Sequence, residues 1–236
     1  MRLALISDVH ANLAALEATL ADIAVRSINR IVCLGDIVGY NTEAAACIAL
    51  LRRANGLCVA GNHDLAACGR ITTRNFSNAA ARAVAWTRRH LGRDELDFLC
   101  GLPLKADIYD QLIAVHGALH PHTGCESVRL DNDERRAQTF EALAAHRSGA
   151  RICAFGHTHQ VAVYELWNGQ AMLRPIVLNG QLVEPLPDLN TARDHAARSR
   201  AKLPAALRSL EPTEAWPLIY SKDLTALIER TRRNLG

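Results

Sequence analysis

The chain of 236 residues is long enough to bury one large core, and 49% of its residues are hydrophobic against 22% charged. These proportions are typical of a folded globular protein and exclude a disordered chain. The formal net charge of +3 comes without a concentrated basic stripe, which argues against a nucleic acid as partner.

Cysteine usage and the amino-terminal sequence bear on where the protein works. The seven cysteines include no C-x-x-C pair, and Cys33, Cys58 and Cys153 lie within apolar runs, where free thiols pack as small hydrophobes in a reducing compartment. The opening stretch is too short for a signal peptide, and no later apolar run is long enough to span a membrane. We therefore expect a cytoplasmic protein with no membrane partner.

Strand-like and helix-like segments alternate along the first half of the chain. Buried strands are predicted at residues 2–7, 29–35 and 56–61. Helical apolar spacing predicts helices between them, at residues 12–27, with Asn12 as N-cap, and at residues 42–54. The order β-α-β-α-β predicts a parallel sheet with right-handed crossovers.

The second half of the chain mixes helices with strands that are linked more directly. Helices are predicted at residues 77–91, at residues 94–100, where Gly101-Leu102-Pro103 close the helix, and at residues 133–147. Strands are predicted at residues 105–110, 111–117 and 150–156, and a hairpin at residues 161–175 around Asn168-Gly169. The hairpin-linked strands indicate a mixed or two-sheet α/β architecture.

Two histidines, His157 and His159, directly follow the strand at residues 150–156. In an extended segment, residues i and i+2 point to the same face, whereas on a helix they would lie about 200° apart. Two imidazoles on one face are typical of metal ligands, but two histidines of an ordinary loop would show the same spacing. The polar residues that follow the other strands decide between these interpretations.

Polar side chains follow five of the predicted strands at their carboxyl ends, which is where α/β sheets place ligand sites. In chain order they are Asp8 and His10, then Asp36, then Asn62, His63 and Asp64, then His116, and last His157 and His159. Each group alone is compatible with a helix cap or a turn. Their occurrence at five strand ends favours one common site.

The donor atoms of this set indicate a two-metal centre. Carboxylate, imidazole and amide groups without any thiolate suit divalent Mn, Fe, Zn, Co or Ni better than Ca or Mg, and we favour Mn. Seven candidate ligands exceed what one transition metal needs, but two metals sharing a carboxylate would use them all. Two cations about 3.5–4 Å apart acidify a water and clamp both oxygens of an in-line phosphoryl displacement. We expect the shared carboxylate to face one ion with each oxygen.

The order of these motifs resembles that of the calcineurin-like metallophosphoesterase superfamily, and most closely its small bacterial and archaeal phosphoesterases. The motifs are SDVHAN at residues 7–12, CLGDIVGY at 33–40, AGNHD at 60–64, His-Gly at 116–117 and Gly-His-x-His at 156–159. The resemblance spans residues 1 to about 180 and implies a four-layer α-β-β-α sandwich of two mixed sheets. We expect a single domain over residues 1–236, with residues 181–236 a divergent, partly helical segment.

The resemblance also implies a role for each motif residue. One metal would be held by Asp8, His10, Asp36 and His159, and the other by Asp36, Asn62, His116 and His157, so that Asp36 bridges the pair. His63 would protonate the leaving-group oxygen, and Asp64 would orient His63. The implied reaction is attack of a metal-bridging hydroxide on the phosphorus of a small phosphorylated substrate. The residue after His10 is Ala11, where the family usually has glycine.

The expected substrate is a phosphodiester, on a small or nucleotide-like molecule. Gly39-Tyr40 stand where the related protein phosphatases carry an arginine that clamps a dianionic monoester, and a diester has one charge less. A phosphomonoesterase or protein phosphatase, with Arg74 or His122 replacing that arginine, is the alternative within the family. A catalytically silent scaffold is a further alternative, although all seven ligands and His63 are present. The sequence predicts no oligomeric state.

Overall fold

The computed structural model describes residues 2–120, 125, 127–160, 162–167, 170–174, 176–178 and 181–183. In these ranges the chain forms an α/β fold with two three-stranded sheets, as the sequence predicts, and two further strand pairs follow them. No helix of the described ranges is both long and apolar enough to cross a bilayer.

The first sheet is parallel and has the predicted β-α-β-α-β connections. Strand β1 (Ala4–Ile6) pairs with β2 (Ile31–Cys33), and β2 pairs with β3 (Leu57–Cys58). Helices α1 (Leu13–Val25) and α2 (Ala44–Arg53) connect these strands. Each ladder is shorter than the apolar run that predicts it, because the last residues of each run leave the sheet and enter the loops of the site.

Helix α1 begins where the sequence predicts. Asn12 accepts a hydrogen bond from the backbone N–H of Ala15 through its side-chain oxygen, at 3.1 Å, and thereby satisfies one of the free N–H groups of the first turn. Leu16 and Ile23, seven positions apart on one face, are the buried residues of the helix. The predicted N-cap is confirmed.

A short helix, α3 (Asn62–Cys68), replaces the turn that the sequence pattern suggests after the third strand. The Asp64 carboxylate accepts from the backbone N–H of Gly61 at 3.0 Å and so caps the helix start. The helix ends at Gly69, whose φ of +86° is the left-handed conformation common at helix ends. Seven residues are too few for helical periodicity to show in the sequence.

Helices α4 (Asn78–His90) and α5 (Arg93–Gly101) confirm the two helices predicted before the second sheet. Ser77 caps α4, since its hydroxyl accepts from the Ala80 N–H at 3.2 Å. The basic residues Arg88, Arg89 and His90 lie in the last turn, where positive charge offsets the helix dipole.

The second sheet is mixed. Strand β4 (Lys105–Ile108) pairs antiparallel with β5 (Leu112–Val115), which pairs parallel with β6 (Ile152–Ala154). Helix α6 (Asp133–Ala144) connects β5 to β6. All four residues of β5 are buried, as expected of a central strand covered on both faces. The predicted two-sheet architecture is confirmed.

Three apolar clusters place the sheets and helices relative to one another. Cys33 of β2 packs with side chains of helices α1 to α5. Its neighbour Val32 faces the other way and joins a cluster with Ala114 of β5, so the two sheets pack together. Ile113, next to Ala114, packs against Leu143 of α6 on the far face of the second sheet. All seven cysteines are free, and Cys33 is fully buried as predicted.

The hairpin predicted around Asn168-Gly169 is confirmed by β7 (Val163–Trp167) and β8 (Gln170–Arg174), which pair antiparallel. A second antiparallel pair, β9 (Ile176–Leu178) with β10 (Gln181–Val183), is not predicted by the sequence pattern, because strands of three residues carry little periodicity. The rest of the predicted C-terminal segment and His122 lie outside the described residues.

Candidate metal centre

The loops that follow the strands of the two sheets meet at one point. In the first sheet the loops after β1 and β2 run side by side, since the His10 N–H donates to the Asp36 carbonyl at 2.8 Å. In the second sheet the Gly156 N–H donates to the His116 carbonyl at 2.7 Å. All nine predicted site residues come from these strand ends or from the start of α3, and the structure brings them together.

Five of the seven candidate ligands have a left-handed backbone, which costs a non-glycine residue about 1 kcal/mol or more. Their φ angles lie between +47° and +63° and belong to Asp8, His10, Asp36, His157 and His159. Ala11, where the resembled family usually has glycine, has a φ of +56° as well. Strain of this kind persists where the surrounding structure imposes it, as at binding sites.

Asp8, His10 and His159 form a first cluster, with ligand atoms all within 4.8 Å of one another. Nε2 of His159 lies 3.1 Å from Oδ1 of Asp8 and 3.3 Å from Nε2 of His10. Two imidazole nitrogens that face each other at this distance need a proton or a cation between them, since each offers a lone pair. This geometry fits a bound cation.

Asp36, His116 and His157 form a second cluster of the same size. Oδ2 of Asp36 lies 3.3 Å from Nε2 of His116 and 3.6 Å from Nε2 of His10, so this one oxygen faces both clusters. Oδ1 of Asp36 instead accepts the backbone N–H of His63 at 2.8 Å. The shared carboxylate therefore presents a single oxygen to the two clusters, whereas the predicted bridge has one oxygen for each ion.

Backbone carbonyls fix the orientation of two of the imidazoles. Nδ1 of His10 lies 3.1 Å from the carbonyl of Val38, and Nδ1 of His116 lies 2.8 Å from the carbonyl of Leu34. A carbonyl only accepts, so each Nδ1 carries the hydrogen and each Nε2 is directed at the clusters. Metal-binding histidines commonly have such an outer hydrogen bond.

Asn62, the first residue of α3, directly precedes His63, whose backbone N–H is bound by Asp36. Oδ1 of Asn62 is buried and has no hydrogen-bond partner in the described structure, and the same holds for Nε2 of His116. A buried polar atom without a partner is costly, and a native protein keeps one where a ligand binds it. Both atoms fit a centre that holds cations, so the described residues can supply the metal ligands that the sequence predicts.

Burial and neighbouring charges give the site a strongly anionic set of groups. Burial disfavours ionised Asp8, but the hydrogen bond with His159 and the charges of His116 and His159 together outweigh burial and lower the Asp8 pKa to about 2. Burial acts in the same way on Asp36, yet the charges of His116 and His63 hold the Asp36 pKa well below its usual range. Both carboxylates are therefore ionised near neutral pH and attract cations.

The histidines respond to burial in opposite directions. Complete burial lowers the pKa of His10 to about 3, and burial together with the charge of His116 lowers that of His157 to about 4. For His116, burial is outweighed by the Asp36 carboxylate, which raises the His116 pKa to about 9. In the metal-free protein His116 thus carries the positive charge that faces Asp36.

Within the described ranges, the Asp64 carboxylate forms its hydrogen bonds with backbone N–H groups and none with the His63 ring. Its carboxylate accepts from the N–H groups of Val38, at 3.1 Å, and Gly61, at 3.0 Å, while Nδ1 of His63 has no hydrogen-bond partner in the described structure. The described structure therefore shows no hydrogen bond between Asp64 and the His63 ring, and an orienting role of Asp64 would act through the backbone that carries His63. Burial raises the Asp64 pKa to about 7 and lowers that of His63.

Gly61 is required by the close approach of β3 to the second ligand loop. A Cβ atom added to Gly61 would collide with Oδ1 and the backbone nitrogen of Asp36. The glycine in the AGNHD motif therefore lets the third strand end directly beside the shared carboxylate.

Two aromatic residues that the sequence does not predict as part of the metal centre also pack against its histidines. The Tyr40 ring is centred 4.6 Å from that of His10 and 4.7 Å from that of His63, and the Phe76 ring 5.0 Å from that of His63. Tyr40 is the last residue of the CLGDIVGY motif, so the sequence offered a signal for its position near the centre. No pattern in the sequence around Phe76 predicts its position. Arg74 is exposed and forms no ion pair within the described ranges.

Known proteins match the chain over most of its length. A solved metallophosphoesterase from Sphaerobacter thermophilus is 29% identical, with a TM-score of 0.59 over 89% of this chain and 97% of that chain. A hypothetical protein from Pyrococcus horikoshii shares the fold at 14% identity, with a TM-score of 0.59 over 87% of this chain and 95% of that chain.

An uncharacterised protein of Methanocaldococcus jannaschii is 45% identical over 102 residues, which cover 43% of this chain and 42% of that protein. The match therefore spans less than half the length of this curated relative. The family model of the calcineurin-like phosphoesterase superfamily domain matches residues 1–181, where all five motifs lie. The chain belongs to the calcineurin-like phosphoesterase superfamily.

Proposed function

We propose that this protein hydrolyses phosphate esters at a centre of two divalent transition-metal ions and prefers diesters to monoesters. The observation that carries the proposal is the position of Asp36, whose Oδ2 lies within 3.6 Å of one imidazole from each of the two ligand clusters. A carboxylate between two such clusters is suited to hold two cations at a short separation.

The two clusters support the ligand assignment that the family resemblance implies. Asp8, His10, Asp36 and His159 would hold one ion, and Asp36, Asn62, His116 and His157 the other. When bound, two such ions supply positive charge for a phosphoryl transition state and lower the pKa of a water nucleophile. Four imidazoles among seven ligands favour Mn, Fe, Zn, Co or Ni over Mg or Ca, and we favour Mn.

His63 is the proposed proton donor to the leaving group. Its ring centre lies 4.8 Å from that of His10, next to the centre. Its backbone N–H is held by Asp36 at 2.8 Å, so the residue keeps a fixed position relative to the shared carboxylate. A proton placed at the leaving oxygen matters most when that oxygen is strongly basic.

The preference for diesters rests on the charge around the centre. In the described ranges no arginine pairs with Asp8 or Asp36, whose pairs within 4 Å are histidines. Gly39-Tyr40 stand where the related protein phosphatases carry the arginine that clamps a monoester. Arg129, whose charge acts on Tyr40 and His157, instead pairs with Asp131 at 4.0 Å. A singly charged diester can be neutralised by the two ions without such a clamp.

We also propose that residues 1–236 form one domain with the four layers α-β-β-α and act in the cytoplasm. Helices α1 to α5 pack on the first sheet, the two sheets pack on each other, and α6 packs on the second sheet, which supports the layered arrangement. Seven free cysteines are suited to a reducing compartment. A small phosphorylated molecule is the expected substrate.

Activity of chelator-stripped and reloaded protein tests the proposal. We expect no hydrolysis after stripping, recovery with Mn, Co or Ni above that with Mg or Ca, and a higher kcat/KM for bis-para-nitrophenyl phosphate than for para-nitrophenyl phosphate. Full activity of metal-free protein would contradict the two-metal centre. A clear preference of the Mn-loaded enzyme for the monoester would reverse the choice of substrate.

A further inference from the structure

The imidazole of His63 is held differently from those of His10 and His116. His10 and His116 each donate from Nδ1 to a backbone carbonyl, at 3.1 and 2.8 Å, which fixes both ring orientation and tautomer. His63 is 4% exposed, and its Nδ1 has no hydrogen-bond partner in the described structure. The orientation of the His63 ring therefore depends on packing, whereas hydrogen bonds fix the orientation of the His10 and His116 rings.

Rings and one glycine surround His63 closely. The ring centres of Tyr40, His10 and Phe76 lie 4.7, 4.8 and 5.0 Å from that of His63. On the Nδ1 edge, a Cβ atom added to Gly39 would collide with Nδ1 itself. Nδ1 thus faces backbone, which leaves Nε2 as the nitrogen available to a leaving group.

Tyr40 is itself held in a strained and well-anchored segment. Its φ is +59°, and the preceding Gly39 has a φ of +96°. The residues on either side are tied to the centre, because the Val38 N–H donates to Asp64 at 3.1 Å and the Asn41 amide donates to the His10 carbonyl at 2.8 Å. Such anchoring gives the Tyr40 ring a defined place between His10 and His63.

We propose that Tyr40 is a positioning residue, whose ring packs against His63 and His10 and thereby aims the His63 imidazole at the leaving group. Phe76 forms the wall on another side of the same ring. This inference rests on the proposed function of His63 as proton donor. It gives ring packing an orienting role beside the one that the family resemblance implies for Asp64.

Kinetics of Tyr40 variants on metal-loaded enzyme test the inference. We expect Tyr40→Leu to lower kcat by ~10–100-fold for a diester with an alkyl leaving group, which is part of the ~10²–10⁴ that general acid catalysis contributes. The loss should be small for a nitrophenolate leaving group, and KM and metal content should stay near their wild-type values. Tyr40→Phe keeps the ring and should restore the rate, while equal losses for both leaving groups would overturn the proposal.

A matched control and a second variant at Tyr40 show whether a loss of rate comes from a general disturbance of the fold. Tyr109 also has a positive φ, of +53°, but its ring lies under Arg30 at the surface, so Tyr109→Leu should leave the rate unchanged. If Tyr40→Leu fails to fold, Tyr40→Met offers an unbranched, flexible side chain that can adapt to the space left by the ring and should show the same kinetic pattern. A wild-type rate in a folded Tyr40→Met protein would overturn the proposal.

Coupling to His63 separates positioning from direct contact with substrate. In a His63→Ala background, Tyr40→Leu should cost no more than about twofold in kcat, because the group that it positions is already gone. The same loss in both backgrounds would mean that Tyr40 acts on the substrate or on the fold.

Relaxation of the His63 ring carbon Cε1 in metal-free protein gives a readout that needs no activity. We expect greater ring mobility on the ps–ns timescale in Tyr40→Leu and wild-type behaviour in Tyr40→Phe. Unchanged mobility in Tyr40→Leu would refute the positioning role even if the enzyme is active. If the wild type has no phosphoesterase activity but the His63 ring is more mobile in Tyr40→Leu, the proposed function is refuted and the positioning role of Tyr40 is retained.

Discussion

His157 donates its backbone N–H to both carboxylate oxygens of Asp8, at 3.2 and 3.1 Å. The bond ties the loop after the last strand of the second sheet to the loop after the first strand of the first sheet. The two loops are too close for a side chain at the preceding Gly156. A Cβ atom there would lie 2.6 Å from Oδ2 of Asp8 and would collide with the Ser7 hydroxyl.

Gly156→Ala should therefore push the two loops apart. We expect a loss of stability of about 1–3 kcal/mol, as for overpacked sites, together with weaker binding of the ion that Asp8 and His159 face. Gly101→Ala is the matched control, since nothing lies within 4 Å of a Cβ atom there. Denaturant unfolding and elemental analysis of both variants measure the effects, and equal stability of the two would contradict the predicted collision.

Asp36→Asn removes the charge that faces both ligand clusters. Without it the two cations repel each other across a neutral amide, so metal content should fall by at least one ion per chain. Asp107→Asn, which alters a partly exposed carboxylate beside His146, serves as control. Elemental analysis after equilibrium dialysis measures the content, and two ions held by Asp36→Asn with wild-type affinity would exclude the bridging role.

His63→Ala should separate proton donation from metal binding. We expect unchanged metal content and a fall in kcat of ~10²–10⁴ for alkyl leaving groups, but little change for nitrophenolate, which leaves readily as an anion. Paired assays of the two diesters on Mn-loaded enzyme provide the measurement. A uniform loss would show that His63 positions substrate and does not protonate it.

The metal-free protein should lose stability as the pH rises from 6.5 to 8.5. The His116 pKa is raised from 6.5 to about 9 in the folded state, mainly because Asp36 outweighs the effect of burial. The stabilisation is therefore complete below pH 6.5 and is lost as the pH rises towards 9. Bound metal must displace the same proton, so apparent metal affinity should rise over this range.

Thermal unfolding of chelator-treated protein at several pH values tests this prediction, with His116→Gln as the comparison. The variant should show a flatter stability profile between pH 6.5 and 8.5. Calorimetry in buffers of different ionisation enthalpy should detect a proton released on metal binding to the wild type. Identical profiles for the two proteins would contradict the raised pKa.

The ligands could be predicted from the sequence because parallel strands of a sheet end at the same edge. Asp8, Asp36 and Asn62 follow successive buried runs, so their convergence requires only the β-α-β topology. The pattern could not show that one oxygen of Asp36 serves both clusters while the other accepts the His63 N–H, since this depends on the backbone course of α3.

The residues around His63 were harder to predict for a physical reason. Phe76 lies in a loop without periodicity, and its place beside His63 is set by packing over a long sequence separation. The contact of Asp64 with Gly61 follows from the capping of a helix of seven residues, which is too short to recognise by spacing. The left-handed φ angles of His10 and His159 are imposed by tertiary contacts against local preference, so no local signal announces them.

The bond between His157 and Asp8 spans 149 positions of the chain. On a ribosome that adds ~5–20 residues per second, roughly 7 to 30 seconds pass between the synthesis of these two residues. For that time the nascent chain carries the carboxylates of Asp8 and Asp36 without the histidines that follow β6. The complete ligand set is thus present only after most of the chain has been synthesised. Binding of both ions would therefore report that the two sheets have packed together.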